Sequence, residues 1–302
     1  MKKIMAKKMT AKTLIANLIF PMGLLALFAG CGPASDQSTL ERIQERGVVR
    51  IGYANEAPYG YMDTETGELT GEAPEIAKVI LQELGVTEVE AVLTEFGSLV
   101  PGLQAGRFDL VAAGMYITPE RCQQIAFSNP TYVIGEAFAV RVGNPKSLHS
   151  YEDIRDHEDA TLGVVSGAIE RRYAREIGIP DDRVMTFPDA PAALAAVRAG
   201  RVDAYGGTSL TVQDLLSKDT SGELEQADPF TDPVIDGESV RGYGAFGFRQ
   251  ADTELVEAFN EKLADFIGSE AHLALVEPFG FTETNLPGDV TAADLCAGRT
   301  TD

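Results

Sequence analysis

The side chains best suited to covalent or metal chemistry are few in this chain and badly spaced for it. Three histidines stand at 149, 157 and 272, with no spacing that lets two of them grip one metal ion. Three cysteines, at 31, 122 and 296, form no Cys-x-x-Cys pair of the kind used in zinc sites or redox motifs. No general acid and base stand out as a placed pair, so catalysis has no obvious carrier. The residues left for chemistry are charges. The 302-residue chain has 46 acidic against 25 basic residues, a net charge of −21. Such a surface repels a phosphate backbone, which excludes nucleic acid as a partner. Neither a metal nor an organic cofactor is expected, and a binding protein rather than an enzyme is.

The elements that must position those charges alternate. Leu40 to Arg46 reads as a short helix ended by Gly47, and Val48 to Tyr53 as a strand. Glu75 to Leu84 has apolar residues at 76, 77, 79, 80 and 84, which is helical spacing. Val89 to Leu93 and Asp109 to Ala113 read as strands, so the pattern implies βαβ units and a parallel sheet. One piece recurs. Leu103-Gln-Ala-Gly-Arg-Phe-Asp109 is echoed 94 residues later by Val197-Arg-Ala-Gly-Arg-Val-Asp203. Each follows an apolar helix and precedes a strand of small residues, with Gly106 and Gly200 as left-handed helix ends. The expected fold is therefore α/β with two similar lobes. Glu136 to Arg141 and Tyr243 to Arg249 read as the two crossings between them, and the helix from Asp252 to Phe266 returns to the first lobe. The expected division is 40–134 plus 249–302 for lobe 1 and 135–248 for lobe 2.

The N-terminus has a separate logic. Five lysines and no acid precede an uncharged, mostly apolar run of 17 residues, Thr13 to Ala29. This is the pattern of a secretory signal. It ends in Ala29-Gly30-Cys31, which resembles a bacterial lipobox, so residues 1–30 are read as a signal peptide and Cys31 as the site of lipid attachment. Residues 31–39 then form a tether. Removal of the signal leaves a net charge of −26. The expected location is extracytoplasmic, in the periplasm or on the cell surface, held to the membrane by the lipid anchor. Cys122 and Cys296 are read as two buried thiols, with a disulfide as the alternative that an oxidising compartment permits.

From 40 to 285 the chain resembles the periplasmic amino-acid-binding proteins of ABC importers, the family 3 solute-binding proteins. The resemblance rests on Ile51-Gly-Tyr…Pro58-Tyr59, Gly71-Glu-Ala-Pro-Glu-Ile-Ala77, Leu103 to Asp109, Ile117-Thr-Pro-Glu-Arg121, Ile125-Ala-Phe-Ser128 and Leu162-Gly-Val-Val-Ser-Gly167. Ala54-Asn-Glu-Ala-Pro-Tyr-Gly-Tyr61, Gly106 to Glu120 and Leu148-His-Ser-Tyr-Glu-Asp153 are similar to its ectoine- and hydroxyectoine-binding branch.

The resemblance implies a type II periplasmic-binding-protein fold, in which a ligand is held between two closing lobes and delivered to the transmembrane subunits of a permease. A monomer is expected. Arg121 matches the arginine that takes the ligand carboxylate. Ala113-Gly114-Met115-Tyr116 stands where the family often has Ser-Ser-x-Ser, and Thr208 or its neighbours in Gly206-Gly-Thr-Ser209 where it has an aspartate for the α-ammonium. A ligand without a primary ammonium fits that departure. Ectoine is a carboxylate joined to a delocalised amidinium, a cation that aromatic faces hold well. The resemblance implies Tyr59, Phe96 and Tyr116 as the aromatic box, Glu56 and Glu170 as partners of the amidinium N–H groups, and Gly114 beside them. Other amino acids or betaine-like zwitterions remain alternatives. So does an enzyme on the same fold, of the cyclohexadienyl dehydratase kind.

Overall fold

The structure, a computed structural model, describes residues 37–299. The signal peptide, Cys31 and most of the tether lie outside the described residues. The tether expected to reach residue 39 stops sooner. Ser38 caps the first helix, Thr39–Arg46, in a reciprocal box with Glu41, and Gly47 ends it in the left-handed conformation. Among the described residues, no helix is long and apolar enough to cross a membrane.

Two separate sheets organise the rest. The first runs Glu88–Leu93, Val48–Tyr53, Leu110–Tyr116, Gly242–Phe248, Ala126–Phe127, with Tyr132–Ile134 also on Gly242–Phe248. The second runs Val184–Phe187, Leu162–Val165, Ala204–Thr208, Glu136–Arg141, Leu224–Gln226. Within each, a central strand (Leu110–Tyr116 or Ala204–Thr208) pairs in parallel with a strand of its own lobe (Val48–Tyr53 or Leu162–Val165) and antiparallel with the strand that arrives from the other lobe (Gly242–Phe248 or Glu136–Arg141). Each sheet, with helices packed on its faces, forms one α/β lobe.

The sequence repeat explains the likeness. Gly106 and Gly200 take φ values of 68° and 67°. Asp109 accepts from the Arg50 N–H at 3.0 Å, and Asp203 from the Thr161 N–H at 2.9 Å. Each acid thus ties the start of one central strand to its neighbour. Basic side chains then neutralise them: Arg42 and Arg50 at Asp109, Lys146 at Asp203.

The crossings differ from expectation. Glu136–Arg141 is a strand of the second sheet, so the first crossing is at Gly135, where Asp232 accepts from the Glu136 N–H at 2.7 Å. Gly242–Phe248 belongs to the first sheet, so the second lobe ends before Gly242 rather than at 248. The glycines of the strand Gly242–Phe248 have a packing cause. A Cβ at Gly242 would lie 1.8 Å from the Tyr116 ring, and one at Gly244 2.1 Å from the Tyr132 ring. Gly242 pairs with Ile134, so the two crossings run side by side.

Cys122 and Cys296 are not free thiols. They are joined in a disulfide with Cα atoms 5.6 Å apart, across 174 residues of sequence. The C-terminal helix Ala292–Cys296 packs on the short helix Pro119–Cys122, a proximity that sequence spacing does not reveal.

Candidate functional site

One cavity between the lobes is lined by Glu56, Tyr59, Phe96, Ala113, Gly114, Tyr116, Arg121, Ala168, Ile169, Glu170 and Thr208. All eight sequence-derived positions are therefore brought together. Their elements end at the cleft, as expected for ligand sites at strand ends in open α/β sheets. Tyr116 closes the strand Leu110–Tyr116 and Thr208 the strand Ala204–Thr208. Glu170 opens the helix Glu170–Ile177.

Arg121 is held in place before any ligand is considered. Thr118 caps its short helix and accepts from the Arg121 N–H at 3.2 Å. The guanidinium then donates from Nη1 to the Tyr116 carbonyl at 2.8 Å and from Nη2 to the Gly167 carbonyl at 2.9 Å. Cζ lies 5.6 Å from the centre of the Phe96 ring. A guanidinium has more N–H donors than these two bonds use, so the fork can still receive a carboxylate. Because Gly167 lies in the second lobe, Arg121 also fastens one lobe to the other. Burial works against its charge, and Glu170 offsets that.

The aromatic wall is packed from behind. Tyr132 lies 5.3 Å from the Tyr59 ring and 6.4 Å from Tyr116, centre to centre, and donates to the Gly114 carbonyl at 3.0 Å. Gly114 has φ +64°, and a Cβ there would fall 2.6 Å from the Tyr59 ring. Glycine is required at that position for both reasons.

The acids are short of partners. Burial pushes the Glu170 carboxyl up to about 8, with the charge of Glu56 adding to it. Burial also raises Glu56, while a hydrogen bond from Thr211 opposes the shift. Among the described residues, Glu170 Oε2 and the Tyr116 hydroxyl are buried without a hydrogen-bond partner. Unmet buried polar atoms cost about 1–3 kcal/mol each, so two of them on residues that line one cavity are consistent with a polar ligand there.

Sequence reasoning missed Thr211, Tyr132 and Glu136. Thr211 was legible as the third residue of a helix capped by Thr208. Glu136 is an acid at the head of a buried strand that is apolar from Ala137 to Val140, with burial raising it well above its ordinary value. A second hollow of about 470 Å³ adjoins the site and shares Glu56 and Phe96 with it.

A lobe on each side of one small cavity that brings charged and aromatic side chains together is the arrangement of a receptor for a small solute. Residues 49–281 match the bacterial extracellular solute-binding proteins, family 3, and the chain belongs to that family. It is a solute-binding protein of an ABC importer of the amino-acid type. A probable amino-acid ABC transporter periplasmic-binding protein, y4tE, of Sinorhizobium fredii is 38% identical over 263 residues, covering 86% of each chain. The L-cystine-binding protein TcyJ of Escherichia coli is 27% identical, covering 81% of this chain and 88% of its own. Among solved structures, EhuB in complex with hydroxyectoine superposes with a TM-score of 0.78 at 36% identity, covering 87% of this chain and 100% of that one. An ancestral amino-acid-binding protein, AncCDT-1, described as a precursor of cyclohexadienyl dehydratase, gives 0.68 at 29% identity, covering 80% and 99%.

Proposed function

We propose that this protein binds ectoine or hydroxyectoine between its lobes, without turning it over, and delivers it to the transmembrane subunits of an importer. The observation that carries the reading is the composition of the cavity. One anchored guanidinium, three aromatic rings and two carboxylates converge on it, and no single aspartate is set against an α-ammonium. Arg121 takes the carboxylate. Tyr59, Phe96 and Tyr116 enclose the delocalised cation, while Glu56 and Glu170 accept from its N–H groups. The likeness to EhuB supports the same ligand class. Closure follows from differential contact, because Glu56 and Glu170 come from opposite lobes and meet one cation only when the lobes are together.

The carboxylates have a role in cation recognition, and no general acid–base pair is left over for a dehydratase. Titration calorimetry with ectoine, hydroxyectoine, proline, glutamine and histidine tests the reading. Tight binding of either ectoine alone is expected; preference for a primary amino acid overturns it. We also propose that the mature protein is extracytoplasmic, monomeric and lipid-anchored through Cys31. Intact mass of membrane-extracted protein should begin at an acylated Cys31, and an unacylated start elsewhere refutes the anchor.

A further inference from the structure

Thr211 is 1% exposed on the helix Ser209–Lys218, with its hydroxyl set between two residues of the site. Its Oγ1 donates to Glu56 Oε1 at 2.8 Å and accepts from Thr208 Oγ1 at 3.0 Å. Thr208 in turn accepts from the Tyr59 hydroxyl at 2.9 Å. The chain of bonds leaves the first lobe at Tyr59, passes through two threonines of the second, and returns to the first at Glu56.

Its direction has one physical determinant. An ionised carboxylate has lone pairs and no proton, so Thr211 must donate to Glu56. A hydroxyl has a single proton to give, so Thr211 must accept from Thr208, and Thr208 from Tyr59. The Tyr59 proton is thereby committed to Thr208. Its oxygen then has only lone pairs left to offer a further partner, and Tyr59 is among the residues that line the cavity. The buried phenol keeps that proton, because burial holds it well above its ordinary range.

We propose that Thr211 is a positioning residue: it fixes the polarity of this hydroxyl chain so that Tyr59 and Glu56 both act as acceptors, which selects N–H donors of a cationic ligand. The ligand half of this statement rests on the function proposed above; the chain itself exists without it. Cooperative networks of this kind are apportioned by double-mutant cycles.

The test uses Thr211→Val, which keeps the shape and removes both bonds, Thr211→Ser, which keeps both, Tyr59→Phe, and the Val/Phe double variant. Each is titrated with the panel member that wild type binds. Thr211→Val should weaken binding roughly ten- to a hundredfold, the size of a hydrogen bond to a charged group. Thr211→Ser should stay within about threefold of wild type, and the double variant should lose less than the product of the single losses. Thr211→Val within about threefold of wild type, or losses that simply multiply, overturns the proposal. Should wild type bind neither ectoine nor hydroxyectoine, the ligand assignment fails separately. The same cycle titrated with whichever panel member wild type does bind still tests the chain, because a bound ligand holds the lobes together, and losses that simply multiply overturn it.

Discussion

Glu170 should act as a brake on closing the cleft without a ligand. In the closed arrangement its carboxyl is pushed up to about 8, first by burial and further by Glu56, against its own backbone N–H and Arg121. It is 5% exposed, and Glu136, Tyr151 and Tyr173 lie within the same field. In an open cleft the side chain would face water at its ordinary value of 4.5. The closed state then binds more protons than the open one between those two values. Empty closure is accordingly favoured as pH falls from about 8 toward 4.5, and opposed as it rises. At pH 7 closing the empty cleft takes up about one proton and costs about 3 kcal/mol. A ligand cation removes that cost by doing the proton's work.

Glu170→Gln is neutral at every pH and should relieve the cost, shifting ligand-free protein toward closure by roughly a hundredfold at pH 7. The same variant loses a charged acceptor worth about 1.5–3 kcal/mol to the bound ligand. Free and liganded shapes should therefore become more alike. Small-angle scattering reads both effects. Ligand-free wild type should compact as pH is lowered from 8 to 5, while the ectoine-saturated form should not change. If ligand-free wild type scatters identically at both pH values and Glu170→Gln matches it at pH 7, the brake does not exist.

Three other outcomes follow from the same geometry. Arg121→Ala should lose binding by about 30-fold or more, and Arg121→Lys should recover only part, because lysine keeps the charge without the planar fork; titration showing either variant within about threefold of wild type would remove Arg121 from the site. Gly167 has φ +78°, and a Cβ there would lie 2.5 Å from Gly97 Cα on the facing lobe. Gly167→Ala should thus hold the lobes apart and weaken binding by roughly tenfold or more, whereas Gly97→Ala, whose Cβ meets Ser166 O at 3.2 Å, should be milder; equal affinities in calorimetry contradict this. Glu72 is 1% exposed, accepts from Thr131 at 2.7 Å, and is raised by burial to about 8. Its neutral form is the one that suits the fold, so its contribution is full below the unfolded value near 4.5 and falls as pH rises toward 8. Glu72→Gln mimics the protonated acid and should melt like wild type at pH 5 but several degrees higher at pH 8, and a pH-independent difference between the two melting curves contradicts the assignment.

What the sequence made legible and what it did not divide along one physical line. Gly106 with Asp109, and Gly200 with Asp203, could be read because each device begins locally, with a left-handed helix end and then an acid at the start of the next strand, although the neighbouring strands those acids bond lie 59 and 42 residues away. The eight cavity residues were placed by the resemblance to the family 3 solute-binding proteins, residue by residue on the motifs they match. Cys122 and Cys296 were not, since 174 residues separate them and only the packing of two short helices brings them together. The second lobe boundary failed for a related reason. The small residues around 242 and 244 were read as suiting a crossing, yet in three dimensions the two glycines are clearance for the Tyr116 and Tyr132 rings. Thr211 lies between these cases. Its place three residues after Thr208 is local and visible, but its bond to Glu56 spans 155 residues and exists only when the lobes meet. The candidate cavity residues sit on motifs that a family resemblance can match, whereas the bonds that orient them depend on contacts between lobes. A variant outside the recognised motifs, such as Thr211→Val, is therefore the one that asks whether the closed cleft is arranged as described.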